Sequence, residues 1–317
     1  MLQTLEYLAF EGVPDGGLEL DDYLRLGTKP AISRELMEKR FFDLISKREG
    51  EELVSRPSFL FNLTRTTPPN CDELTGHAIT RNFLVRSQIF MLALWLVRDN
   101  SGNPGSVFFM VNNEDGSDNS LSERHSAYYF TAECTLVHAT FTRSELDTAI
   151  GYMKQLDAII PKVARALEAG RPTGLVHASR IARCLYFAQA ARGADDPSVK
   201  AAFYCICFET LFSTDINGVA HRVAERSAFL LGTTGTERRE IYKNIHDLYG
   251  YRSTVVHGGH LKQKDEAKLR AVVVLGDAHL RNAILKIIEN EPLLNLFGKN
   301  DEGAIREHFF NELFPTN

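Results

Sequence analysis

Two residues late in the chain stand at a spacing that could do chemistry. In Leu248 to His260, LYGYRSTVVHGGH, Arg252 and His257 are separated by four residues. An imidazole, with an ordinary pKa of about 6.5, takes and returns protons near neutrality. A guanidinium is always charged and forks onto phosphate oxygens. A base beside a phosphate clamp is enough to drive a ribose 2′-hydroxyl onto its own neighbouring phosphate. That reaction leaves a cyclic 2′,3′-phosphate and a free 5′-hydroxyl, and it calls for no metal or other cofactor.

The bare spacing says little. Allowing four to six intervening residues, Arg171 to His177 and Arg239 to His246 also match. The first straddles a break from Pro172 to Gly174, and the second reads as a charged helix face, so both are taken as chance matches. The context of Arg252 and His257 has to carry the case.

That context is helical. From about Thr142 the pattern shifts to the helical period. Arg143 to Glu168 reads as a helix ended by Gly170 and Pro172, and Thr173 to Arg192 as another. Asp196-Pro197 is a strong start signal for the next, SVKAAFYCICFETLF, which is apolar on nearly every face and therefore expected to be central. Asn217 to Leu231 follows. Thr234 and Glu237 form a capping-box pattern before a helix from Thr236 to His257, which Gly258-Gly259 stops. Asp265 to Asn290 is a long helix, and Asp301 to Leu313 a short one.

The earlier residues look different. Ser33 to Lys47 has helical spacing. Ser58 to Leu63, Asn82 to Val97, Val107 to Val111 and Tyr128 to Phe141 read as strands, and Asn112 to Glu123 as a polar loop. The expected fold is α+β. A β-rich (α+β) domain over 1–142, a sensor or regulator, precedes an all-α bundle over 143–317.

Phe203 to Gly259 resembles the Apea-like family of the HEPN ribonuclease superfamily. The matching features run in order. An apolar helix carries Glu209 in FETLF. AHRVAERSAFLLG follows, with Arg222, Glu225 and Arg226. A link carries Arg238 and Arg239. Then come I-x3-I-x2-LY and RSTVVHG. The resemblance is close over this stretch, looser over the helical half, and does not reach residues 1–142. It implies a four- to five-helix bundle, commonly a homodimer, whose paired Arg and His line one cleft. It further implies a metal-independent endoribonuclease, acting on tRNA or mRNA, of the kind found in toxin–antitoxin, abortive-infection and antiviral systems. Arg252 and His257 would be its catalytic pair. Ser253 stands where many members carry Asn, Asp or His; it is smaller but still able to hydrogen-bond. On a regular helix Arg252 and His257 lie about 140° apart with a rise of about 7.5 Å. A common site therefore requires a dimer, or a helix that loosens near Gly258.

Other residues have two readings each. Glu209 orients a site Arg, or is a structural acid paired with an Arg from the next helix. Arg222 and Arg226, four apart, contact phosphate, or pair with Glu209 or Glu225. Tyr249 and Tyr251 stack on bases, or pack in the core with a polar tip. His260 assists, or lies idle beyond the glycines. At the level of the whole chain, the rival to an enzyme is a non-catalytic HEPN module that binds RNA, a nucleotide or a protein.

Composition sets the bounds. The net charge of −5 argues against nonspecific coating of nucleic acid, and the acid excess lies in the first half. Cys71, Cys134, Cys184, Cys205 and Cys207 are odd in number and contain no C-x-x-C, so neither a disulfide framework nor a zinc site is expected. No metal-spaced cluster includes His125 or His138. The longest apolar run, Ile89 to Val97, is too short for a transmembrane helix. Early acids with no basic region before them argue against a signal peptide. A cytoplasmic protein without membrane contact is expected.

Overall fold

Strand β1 (Leu2–Glu6) is buried on both faces, with Leu2, Gln3, Thr4 and Leu5 all closed to solvent. A strand covered on two sides belongs in the middle of a sheet. The computed structural model describes residues 1–28, 46–62, 73–112, 118–123, 128–160, 178–259 and 263–314. The expected helix from Ser33 up to residue 45, the Arg171–His177 pair, Cys71, His125 and His260 lie outside these residues.

The fold is α+β. Strands β3 (Leu18–Glu19), β4 (Arg25–Thr28), β5 (Ser58–Phe61), β6 (Asn103–Asn112) and β7 (Asp118–Glu123) join β1 in an antiparallel sheet, in the order β3-β4-β5-β1-β6-β7. Leu2 stands opposite Phe61 on one side and Phe108 on the other. The register of β1 against β6 shifts between Gln3 and Leu5. Gly105 faces that shift, where an added Cβ would collide with Thr4 Oγ1. Strand β2 (Leu8–Phe10) pairs in parallel with β8 (Ala139–Phe141).

Three expectations for this region need correction. Asn82 to Val97 is not a strand but the greater part of helix α2 (Glu73–Val97). Its residues Ile89 to Leu96 are all buried, and a helix enclosed on every side shows no polar period to betray it. The loop expected over Asn112 to Glu123 contains β7, whose polar residues DNSLSE are held by backbone pairing to Val107–Asn112. Of the run Tyr128 to Phe141, only Ala139–Phe141 is a strand, and Thr131 to Thr135 folds into a turn.

The chain divides into two units: Met1–Tyr129 with Leu136–Asp157, and Phe130–Thr135 with Ala158–Asn317. Helix α1 (Lys47–Ser55) lies in the first. So does most of α3 (Arg143–Ile159), which the sequence places after the boundary. Thr142 and Glu145 cap α3 reciprocally. Glu145 also pairs with Arg98 at 2.9 Å, and Arg143 donates to the Gly12 carbonyl. The side chains at the head of the helix thus anchor it to the sheet unit.

In the second unit, α4 (Arg180–Gly193), α5 (Pro197–Phe212), α6 (Val219–Leu231), α7 (Gly235–Val256), α8 (Glu266–Ile288), α9 (Glu291–Phe297) and α10 (Glu302–Leu313) follow in order. Asp196 caps α5 by accepting from the Ser198 and Val199 amides, with Pro197 in the first turn. Helix α5 is the core: Tyr204, Cys205, Cys207, Phe208, Leu211 and Phe212 are fully buried. Helices α4, α6, α7 and α8 pack round it. Cys184, Cys205 and Cys207 are free thiols in this core, and Cys134 is free in the turn. Among the described residues, no helix is long and apolar enough to cross a membrane.

Candidate functional site

Helix α7 positions both members of the pair. Its start is a complete capping box: the Glu237 amide donates to Thr234 Oγ1, and Glu237 Oε2 accepts from the Thr234 amide. Ile241, Ile245, Leu248 and Tyr249 form its buried stripe. Its end is a Schellman turn. Gly258 adopts a φ of +74°, its amide donates to the Val255 carbonyl, and the Gly259 amide donates to the Thr254 carbonyl at 2.7 Å. His257 is the last residue before that turn. Its amide still bonds the Ser253 carbonyl at 3.1 Å, while its own backbone, at φ −93° and ψ 14°, has left the helical region, so the regular helix ends at Val256. The loosening near Gly258 thus begins at His257 and leaves Arg252 within the regular helix. By helical spacing the two positions lie about 140° apart around the axis.

Arg252 faces α5. Its Nη1 stands 3.7 Å from Glu209 Oε1, with the two side chains 36% and 27% exposed. That separation is an ion pair without a hydrogen bond, and at such exposure it contributes little to stability. Glu209 thus holds Arg252 in place while leaving its donors open to a competing phosphate. Tyr249, one turn before Arg252, is buried, and its hydroxyl donates to the Cys205 carbonyl at 3.5 Å. Burial, reinforced by the charge of Glu209, pushes its phenol well above the usual range. Tyr249 is therefore a core residue beside the ion pair and offers no face to a base. Tyr251 is half-buried, and its phenol is raised by burial and then by Asp265 and Asp247. Ser253 is exposed.

The two arginines of α6 are engaged elsewhere. Arg226 is buried, its Nη1 donating to the Phe212 carbonyl at 2.5 Å and to Thr214 Oγ1 at 3.0 Å, with the guanidinium over the Phe309 ring. Burial lowers its pKa. It ties α6 to the end of α5, and its hydrogen bonds go to neither Glu209 nor Glu225, although the charges of Asp215 and Glu225 act on it. Arg222 pairs with Asp215, which Arg306 also approaches at 3.5 Å. It is half-exposed and shares that one carboxylate with Arg306.

His257 shares its face of α7 with Arg239 and His246, the pair whose spacing alone looks accidental. At about 100° per residue, Arg239, Lys243, His246, Gly250, Ser253 and His257 fall within about 40° of one line, and all six are exposed. Tyr242 flanks them, stacked on His246 at 5.8 Å between centroids and 2.8 Å from His221 Nδ1 through its hydroxyl. The helical period of those six positions is the signal in the sequence that marks this face, and the R-x4-H spacing does not report it.

Among the described residues, no group of three or more His, Cys, Asp or Glu is arranged to hold a metal ion. Comparison with protein-family models, curated proteins and solved structures gave no match.

Proposed function

We propose that the chain is a metal-independent endoribonuclease of the HEPN type, working as a homodimer whose helical units bring two Arg252–His257 pairs to one cleft. His257 accepts the proton of a ribose 2′-hydroxyl. The 2′-oxygen then bonds to the adjacent phosphorus, the bond from phosphorus to the 5′-oxygen breaks, and that oxygen leaves with the proton that the His257 imidazolium returns. Arg252 stabilises the charge that gathers on the non-bridging oxygens. The observation that carries this reading is that neither group is locked into the core: His257 is exposed at the helix end, and Arg252 is held by an ion pair too long for a hydrogen bond. The first unit acts as regulator, and toxin or antiviral defence in the cytoplasm is the biological setting.

A second reading has an observation of its own. Within one chain Arg252 stands beside Glu209 of α5 while His257 is exposed at a position about 140° further round the axis, as a non-catalytic module for RNA, a nucleotide or a protein would allow. Incubating the purified protein with tRNA and with generic RNA in EDTA separates the two. The enzyme yields fragments with cyclic 2′,3′-phosphate ends whatever the chelator. If EDTA abolishes cleavage and magnesium restores it, the mechanism is wrong. If no RNA is cut under any condition, the binding module takes its place.

A further inference from the structure

We propose that the outer face of α7 is a binding track for single-stranded RNA, with Arg239 and Lys243 on phosphates and the Tyr242–His246 stack as a platform for a base. The proposal deepens the ribonuclease reading and rests on it for the track's destination at His257, though not for the binding itself.

The track is built by the helical period. Arg239, Lys243, His246, Gly250, Ser253 and His257 follow one line over about 27 Å, at 1.5 Å per residue. Arg239 and Lys243 are exposed, and among the described residues neither makes an ion pair or a side-chain hydrogen bond. The acids of the same helix stand aside: Glu240 and Asp247 lie about 80–100° round the helix from that line, and Glu237 about 160°. A cationic strip without internal neutralisation inside a chain of net charge −5 favours a polyanion at this place. The aromatic element narrows the class. The rings of Tyr242 and His246 are stacked nearly parallel, at 16°, and Tyr242 is steadied by His221. A flat surface beside free cations accepts an unstacked base, which a single strand supplies and a duplex withholds. Gly250 adds a further point. A Cβ there would meet nothing within 4 Å, so nothing in the chain demands a glycine in this helix, and its absence of side chain leaves room for a sugar-phosphate.

The probe is a short fluorescein-labelled single strand of 2′-O-methyl RNA, which lacks the attacking hydroxyl and survives the enzyme. Binding to the full chain is read by anisotropy across a salt series. Arg239→Ala with Lys243→Ala is expected to weaken binding at least tenfold at low salt. It should also flatten the slope of log affinity against log salt by about 1.4, at about 0.7 for each phosphate no longer neutralised. Tyr242→Ala is expected to cost about tenfold and Tyr242→Phe almost nothing, since the ring and not the hydroxyl meets the base. The melting temperature of the double variant should match the wild type. Wild-type affinity and salt slope in the double variant would overturn the track, as would equal competition by polyglutamate, which would mark a surface for acidic protein. Equal Tyr242 dependence with a duplex of the same length would overturn the single-strand assignment. Loss of binding in these variants, in a protein that cleaves nothing, would leave the track standing and sink the ribonuclease reading. Cleavage with an unchanged KM in the double variant would do the reverse.

Discussion

At the scale of single residues, three arginines that look alike in sequence have separated. Arg226 is buried on a carbonyl and a threonine, Arg222 shares Asp215 with Arg306, and Arg252 is half-open beside Glu209. Their variants should diverge accordingly. Arg252→Ala and His257→Ala remove groups at the surface, so stability should move by no more than about 0.5 kcal/mol. Loss of a charge contact made in the transition state should slow cleavage by roughly a hundredfold or more. Arg226→Ala should do the opposite. It strands the Phe212 carbonyl in the core and should destabilise by about 1–3 kcal/mol, leaving the rate per folded molecule unchanged. Thermal melts beside single-turnover cleavage measure both. If Arg226→Ala folds normally and loses cleavage as Arg252→Ala does, this division of labour between the two arginines is wrong.

Helices differ in how openly they announce themselves. Those with caps are legible: Asp196-Pro197 before α5, Thr234 with Glu237 before α7, and the glycines after His257 all stand where the backbone requires them. Helix α2 is not, because Ile89 to Leu96 are enclosed on every side and leave no polar face to count from. Strand β7 is hidden for the opposite reason: its polar residues are held by the ladder to β6, and composition does not report backbone pairing. The site is half legible. Spacing marks Arg252 and His257 and resemblance marks Glu209, whereas the destinations of Arg226 and Tyr249 depend on which way a helix is rotated in the bundle. The two glycines of α7 offer a test at this scale, with opposite signs. Gly258 has a φ of +74°, so Gly258→Ala strains the Schellman turn and should cost about 1 kcal/mol. Gly250 is helical with open space round it, so Gly250→Ala should stabilise by about 0.5–1 kcal/mol, a rise in melting temperature of a few degrees. Calorimetry showing both changes destabilising would mean that Gly250 is enclosed, contrary to its position on the open face.

The helical unit also carries a stability signature that depends on pH. His279 of α8 lies partly buried beside Asn244, 3.4 Å from its amide, and burial lowers its pKa below the ordinary 6.5. The sign follows from linkage. The folded state disfavours the imidazolium, so the unfolded chain takes the proton first, and the stabilising contribution is complete above the unfolded pKa. It is lost as the pH falls from about 6.5 through the lower folded value. His279→Gln cannot titrate. Melting temperatures measured from pH 7.5 to 5 should therefore fall more steeply for the wild type than for the variant. Parallel curves would show that His279 is solvated in the folded protein.

Assembly decides whether the pair can act at all. Helical spacing sets Arg252 beside Glu209 of α5 and His257 about 140° further round the axis, exposed at the end of α7. A ribonuclease built on these two residues must therefore borrow from a second copy. That requirement has a consequence that neither a monomeric site nor a binding module shares. Arg252→Ala and His257→Ala, each inactive by itself, should regain cleavage when mixed and allowed to exchange subunits, because a mixed dimer still presents one arginine and one histidine to the shared cleft. The recovered rate should rise with the fraction of mixed dimers, which differently tagged copies and light scattering can report. A dimer that exchanges freely and stays inactive would place both residues in separate sites. Full activity in a monomer at micromolar concentration would mean that Arg252 and His257 meet within one chain, which requires α7 to break before His257.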